Sequence, residues 1–534
     1  MTSVKVRELD AVVVGAGFAG MYMLHRLRGQ GLAVQVIERG DGVGGTWYWN
    51  RYPGARCDVQ SMEYSYQFDE ALQQEWKWSE RFSPQPEILA YANHVADRFD
   101  LRRDIQFETS VVAAHFDEAT LRWRVETDAG EVFLARFCIM ATGCLSSWNV
   151  PDFPGLDDFE GECFHTGRWP HEEVDFSGKR VAVIGTGSSG IQAIPVIAQQ
   201  AAELFVFQRT ANFSVPARNG PLDPDYERGV KADYENFRER NAMQAGGLDT
   251  KPNEISALAV GDEERAEVYE DRWRDGGLPF LSAFNDLALD RASNDTAADF
   301  VRQKIGEIVD DPAVAEQLCP ENTIGCKRPC VDTNYYATFN LPHVHLVDIG
   351  ETGITEITAK SVRAGDRAVE VDSLVLATGY DAMTGALAAI DIRGRGELPL
   401  TEKWAEGPKT YLGLGVAGFP NLFIITGPGS PSVLSNMIPS IEQHVNWIAD
   451  CIAYLDEKGL ALIEAEPDAE AAWGAHVNDV ASLTLYTTGC NSWYQGANIP
   501  GKPRVFMPYI GFPPYVEKCN EVAAKGYEGF RLLE

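Results

Sequence analysis

Residues Asp10 to Gly20 read D-A-V-V-V-G-A-G-F-A-G. A short apolar run ends in glycines at 15, 17 and 20, and helix-forming residues follow from Met21 to Arg28. That order spells strand, tight turn, helix. In such a unit Gly15 permits the turn, Gly17 lets backbone approach a pyrophosphate and Gly20 lets the helix pack on the strand. The helix N-terminus offers free N–H groups to phosphate. Gly29 and Gly31 stop the helix, Val34 to Ile37 form the next strand, and Glu38 stands at its carboxyl end. A carboxylate there accepts hydrogen bonds from a ribose diol and repels a 2′-phosphate.

The same order returns at Arg180 to Thr210, which predicts a second unit. Val181 to Ile184 is the strand, Gly185-Thr186-Gly187-Ser188-Ser189-Gly190 the turn, Ile191 to Gln199 the helix and Leu204 to Gln208 the next strand. Pro195 removes one backbone bond inside that helix and is expected to kink it. The residues after the second strand are Arg209 and Thr210. A guanidinium beside a hydroxyl suits the 2′-phosphate of NADP rather than the bare diol of NAD. One glycine motif alone is weak evidence, because glycine-rich turns also occur for purely structural reasons. Two of them, each in strand-turn-helix-strand context and each closed by a chemically apt residue, predict two nucleotides.

The first nucleotide reads as FAD. Past Glu38 comes G-D-G-V-G-G-T-W, where the Gly44-Gly45 pair, with Thr46 and Trp47 after it, allows close backbone approach to pyrophosphate and ribitol. Two further apolar runs, Phe137 to Met140 and Leu374 to Leu376, end in Ala-Thr-Gly at 141–143 and 377–379. Asn421 to Gly429 gives another buried strand with a Gly-Pro-Gly end. These anchors predict an α/β protein of two Rossmann-like dinucleotide-binding domains with a helical insert. Residues 1–145 and 376–534 are expected to bind FAD, residues 152–215 and 326–375 NADP, and the charged stretch 218–325 to form the insert.

The chain has 534 residues, with 78 acidic against 46 basic side chains and a formal net charge of −32. At roughly 100–200 residues per domain that length predicts several domains. The negative balance disfavours nucleic acid and anionic lipid, so an anionic ligand needs a local cationic cluster. No apolar run approaches the roughly 20 residues that span a bilayer. Lys5 and Arg7 precede an apolar stretch as in a signal peptide, but Asp10 and the glycines fit a buried strand and turn better. The ten cysteines are spaced irregularly, which reads as reduced thiols in the cytoplasm rather than a disulfide framework. Cys326 and Cys330 lack a partner pair at zinc-site spacing, so no metal is expected.

Phe159-E-Gly161-E-C-F-His165-T-G-R-Trp169-Pro170 matches F-x-G-x-x-x-H-x-x-x-W-P, and Gly45 to Asp58 reads G-T-W-Y-W-N-R-Y-P-G-A-R-C-D. With Lys327-Arg328 and the C-terminal S-W-Y-Q-G-A-N-I-P-G-K-P-R-V-F, these segments resemble the type I Baeyer–Villiger monooxygenases, closest to the phenylacetone and steroid branch. The resemblance runs over nearly the whole chain. It implies FAD, NADPH and O2 converting aryl, cyclic or steroidal ketones to esters or lactones through an oxygen adduct at flavin C4a, with sulfoxidation as a side activity. No obligatory protein partner is implied.

By the same resemblance, Arg328 is the active-site arginine and Asp58 the carboxylate that pairs with it. Arginine keeps its charge at any working pH, which a peroxide anion and a tetrahedral oxyanion both need. Without the resemblance, a surface ion pair would be the simpler reading of these two residues. Lys327 is expected to reach the 2′-phosphate with Arg209 and Thr210, since adjacent side chains of an extended segment face opposite ways. His165 is expected to couple domain movement rather than carry a proton. Trp493 matches a tryptophan on a loop that folds over NADP, against the plainer role of a packing aromatic. Ser432, Val433 and Leu434 resemble the loop bordering the ketone. An N- or S-oxygenating flavin monooxygenase is the alternative, disfavoured by Trp169-Pro170. A flavin disulfide reductase lacks a partner thiol for Cys57.

Overall fold

The first apolar run becomes the strand Val6–Val14 at the heart of an eight-stranded sheet. The computed structural model describes residues 6–534, so Lys5 lies outside the described residues. Val6–Val14 pairs in parallel with Val34–Ile37 on one side and Val132–Met140 on the other. Leu422–Ile424 joins Val132–Met140, also in parallel, bringing C-terminal chain into the N-terminal sheet. The end Ala11 to Val14 is buried, as a central strand covered on both faces requires. Only Val111–Asp117, Arg122–Thr127 and the start of Val132–Met140 run antiparallel, as a meander towards one edge.

The second sheet is wholly parallel, in the order Val344–Asp348, Glu203–Gln208, Arg180–Ile184, Ser373–Leu376, Glu162–His165. The helices Phe18–Gly29 and Ser188–Ala198 follow the two glycine turns, each starting about three residues earlier than the apolar pattern suggests. Pro195 sits inside Ser188–Ala198 without ending it. Between residues 218 and 325 the chain is helical, with Pro224–Ala232, Tyr234–Ala242, Asp262–Asp275, Arg291–Ile308 and Pro312–Leu318. Among the described residues no helix is long and apolar enough to cross a membrane.

The 22-residue helix Met437–Lys458 packs on Phe18–Gly29 and carries the fully buried His444. Its Nδ1 accepts from the Thr426 N–H at 2.8 Å, and its Nε2 lies 2.8 Å from the Tyr515 hydroxyl, which donates to the Leu412 carbonyl at 2.6 Å. Burial pushes His444 down to about 3, so the ring is neutral. A pKa lower in the folded chain than in the unfolded one contributes stability that is complete above about 6.5 and lost as pH falls towards the folded value. His444→Gln is therefore expected to cost about 2 kcal/mol at pH 7.5. The gap between variant and parent, read from urea midpoints, should narrow by pH 5.

Candidate active site

The two glycine turns share one geometry. A Cβ on Gly15 would lie 2.6 Å from the Ala141 carbonyl, and one on Gly185 would lie 2.4 Å from that of Ala377. Each first glycine is thus pressed against an Ala-Thr-Gly segment, which explains why those segments accompany the turns. Gly20 and Gly190 meet the carbonyls of Gly15 and Gly185 just as closely, so the third glycine serves helix-on-turn packing. The middle glycines differ. A Cβ on Gly17 would lie 3.4 Å from the Gly45 Cα, whereas one on Gly187 would meet nothing within 4 Å.

Neither helix that follows has a side-chain cap at its N-terminus or an acid in its first turn. Elsewhere Asp223, Asp290 and Asp311 cap helices with their carboxylates. Uncapped first-turn N–H groups beside open backbone make two sites suited to a phosphate-bearing ligand. The residues present therefore fit two dinucleotides. Glu38 is buried, and its carboxylate accepts from Ala16 N–H at 2.7 Å and Gly40 N–H at 2.8 Å. One lone pair on each oxygen thus holds the turn, which leaves the others to accept from a diol. Thr46 opens the short helix Thr46–Trp49, and Trp47 donates to Tyr64 at 3.1 Å.

On the second unit Arg209 and Thr210 are exposed, and Thr186 donates to the Thr210 carbonyl at 3.2 Å. Lys327 is pushed down by burial and then by the neighbouring Arg209. Two cations thus stand close enough to repel, and among the described residues no carboxylate is ion-paired to either. Ser188 contacts Cys330 across 3.5 Å, and Ser189 faces the Tyr52 and Tyr380 hydroxyls.

Arg328 and Asp58, 270 residues apart, meet with Nη2 donating to Oδ2 at 2.7 Å. The carboxylate is 6% exposed, while the guanidinium keeps 37% of its surface open. This is not a surface pair. Burial raises the Asp58 carboxyl, and Arg328 opposes that rise. Burial alone would lower Arg328, but Asp58, Tyr494 and Cys57 together hold it above its ordinary value, so its charge is fixed. The second Asp58 oxygen accepts from Gln192 Nε2 at 3.2 Å, and the Gln192 carbonyl accepts from the Tyr52 hydroxyl at 2.8 Å. Gln192 sits in the helix of the second glycine motif and so connects the two units through Asp58. It was not singled out from sequence, although an amide among Ile191, Ala193 and Ile194 is a readable signal.

His165 ends the strand Glu162–His165. Its Nδ1 accepts from the Gly167 N–H at 3.0 Å, which leaves the proton on Nε2, 3.2 Å from both the Asn149 carbonyl and Thr378 Oγ1. Burial lowers its pKa and keeps the ring neutral. Trp169, followed by Pro170, is buried against Phe164 and Phe176 at ring distances of 5.2 and 6.2 Å. Gly161 packs against the Asp372 carbonyl and the Phe159 ring.

The Trp493 and Tyr494 rings lie 4.5 Å apart, tilted by 51°, and the Tyr494 phenol faces Arg328. Val433 and Leu434 share their apolar cluster, with Met383, Phe506 and Met507. Ser432 is wholly buried, and its hydroxyl donates to the Thr426 carbonyl at 3.3 Å. Cys57 is a free thiol, pushed up to about 12 by burial, which leaves no thiolate for disulfide reduction. The expectation that all cysteines are unpaired fails at one place, because Cys326 is disulfide-bonded to Cys490. A separation of 164 residues hides that pair from any reading of local spacing.

The flavin-binding monooxygenase-like family model matches residues 9–220. A phenazine N-monooxygenase of Lysobacter antibioticus is 43% identical over 98% of this chain and 97% of that protein. A Baeyer–Villiger monooxygenase of Pseudooceanicola batsensis is 43% identical over 97% of this chain and 95% of that protein. Among solved structures, an oxidised steroid monooxygenase bound to NADP superposes with a TM-score of 0.94 at 54% identity, covering 99% of this chain and all of that one. The chain belongs to the flavin-binding monooxygenases. Within them it is an FAD-dependent, NADPH-using monooxygenase of the Baeyer–Villiger group.

Proposed function

We propose that this chain oxygenates aryl, cyclic or steroidal ketones to esters or lactones in the cytoplasm, with residues 1–145 and 376–534 holding FAD, residues 152–215 and 326–375 holding NADP, and residues 218–325 as the insert. The stoichiometry is ketone, O2, NADPH and a proton giving ester, water and NADP+. When bound, the flavin accepts hydride and activates dioxygen. The observation that carries the reading is the ion pair of half-buried Arg328 with buried Asp58, which Gln192 links to the helix of the second nucleotide unit. Asp58 orients the guanidinium, whose open side meets negative charge as it develops on oxygen. Tyr494 and the apolar cluster behind it keep water from that charge. Arg209, Thr210 and Lys327 hold the 2′-phosphate, and Val433 and Leu434 border the ketone.

N-oxygenation is the second reading, favoured by a relative that matches as well as the ketone-type one and carries that activity in its name. Incubation with cyclohexanone, phenylacetone, progesterone and phenazine separates the two, products being read by mass spectrometry. Esters or lactones from the ketones support the first reading; an N-oxide with no ester from any ketone overturns it.

For His165 we propose a coupling role, because its ring ties the linker strand to Asn149 and to the Thr378 segment. His165→Ala is expected to slow turnover roughly tenfold through the movement that brings NADPH to the flavin. The pH–rate profile should keep every ionisation of the parent. Loss of one on the acid side of the ordinary histidine range would make His165 a proton carrier instead.

A further inference from the structure

We propose that Cys326 and Cys490 form a reversible thiol-oxidation site, closed by hydrogen peroxide and opened by a dithiol, which fastens the Trp493 loop to the Lys327-Arg328 segment. This goes beyond the ketone reaction; its cross-link rests on thiol chemistry, and its effect on NADPH rests on the reading that the Trp493 loop covers that cofactor.

The two Cα atoms lie 6.3 Å apart, within the span a disulfide bridges. Cys326 immediately precedes Lys327 and Arg328, and Cys490 lies three residues before Trp493. The two segments also meet beside the sulfurs, since a Cβ on Gly489 would sit 2.8 Å from the Thr323 side-chain Oγ1. Eight other cysteines remain free, most of them buried, so placement selects this pair. Cys326 is 1% exposed, whereas Cys490 is half-exposed and offers the point of entry. Asn322 Nδ2 donates to Cys326 Sγ at 3.0 Å.

The loop needs such a tie. Among the described residues, the hydrogen bonds made by residues 486–493 stay within the stretch 484–497. Cross-links to the body come from the flanking residues, through Leu485 N–H to the Ala288 carbonyl, Met507 N–H to the Tyr494 carbonyl, Asn498 to the Tyr380 carbonyl and Lys502 to Asp381. The disulfide is therefore the covalent tie between residues 486–493 and the Arg328 segment, added to the packing of Trp493 and Tyr494 in their apolar cluster. In closing, the Cys490 thiolate attacks one peroxide oxygen and water leaves after protonation. The Cys326 thiol then displaces the hydroxyl of the resulting sulfenic acid, releasing a second water; two thiols are oxidised by one peroxide. A dithiol reverses this by two exchanges and ends as its own cyclic disulfide. In a reducing cytoplasm such a pair acts as a sensor rather than a permanent staple.

Holoenzyme treated with hydrogen peroxide or with dithiothreitol, then alkylated and digested without reduction, tests the site. Peroxide should yield one cross-linked peptide joining Cys326 to Cys490, and dithiothreitol two alkylated thiols. The reduced enzyme should show a KM for NADPH roughly threefold higher and faster proteolysis within 486–493, because the loop is freed. Cys490→Ser, a change at a half-exposed position, should behave like the reduced enzyme under both treatments. Absence of the cross-link after peroxide, equal KM values in both states, or a redox response that survives in Cys490→Ser would each overturn the proposal.

Discussion

Arg328→Ala is expected to leave NADPH-dependent bleaching of the flavin nearly unchanged while ester formation falls by about 10²- to 10³-fold, the usual loss for one preorganised donor facing a developing oxyanion. The asymmetry follows from what the guanidinium does. Hydride transfer creates no new anion that Arg328 alone must hold, whereas oxygen transfer to a carbonyl does. Its charge is fixed by Asp58 at 2.7 Å, and that carboxylate is fixed in turn by Gln192. Asp58→Asn should therefore produce the same split between reduction and oxygenation with a smaller loss, since the cation remains but its aim is relaxed. Arg328→Lys should recover only part of the activity, because an ammonium lacks the planar fork. Rapid-mixing absorbance reads the reduction step, and gas chromatography the ester. Ester formation that persists in Arg328→Ala would remove the residue from the reaction.

The second large effect concerns cofactor choice. Arg209→Ala is expected to raise the KM for NADPH by about 10- to 100-fold, the range for losing a charged hydrogen-bonding partner worth roughly 1.5–3 kcal/mol. The KM for NADH should change little, since that cofactor presents no phosphate to the site. Lys327→Ala should act in the same direction more weakly, because its ammonium is a point charge already disfavoured by burial and by Arg209. Steady-state kinetics with both cofactors decide the matter. Equal increases for NADPH and NADH would show that the cluster binds something common to the two.

Much of this was legible before folding was considered. Strands such as Val34–Ile37 and the two glycine turns announce themselves because strand, turn and helix impose local periods and local backbone demands. Both helices begin earlier than the apolar pattern shows, because the turn residues themselves supply the first helical turn. Arg328, Asp58 and His165 were reachable only through resemblance, since no spacing rule joins residues 270 positions apart. The rest escaped for the same reason. Gln192 reaches Asp58 across 134 residues, and Cys326 reaches Cys490 across 164. Sequence periodicity states which face of an element is buried but not what the facing element brings. The partner of the Ser432 hydroxyl, the Thr426 carbonyl, was equally out of reach of any pattern, because it is set by how the loop folds back on itself.

The most direct test of a charge-stabilised oxygen transfer is a single turnover of NADPH-reduced enzyme with a ketone and heavy-isotope dioxygen. The account predicts ester carrying one heavy oxygen in near-equal amount to the NADPH consumed, and mostly labelled hydrogen peroxide when Arg328 is replaced by alanine. Labelled peroxide as the main product of the unaltered enzyme, with every ketone offered, would contradict it.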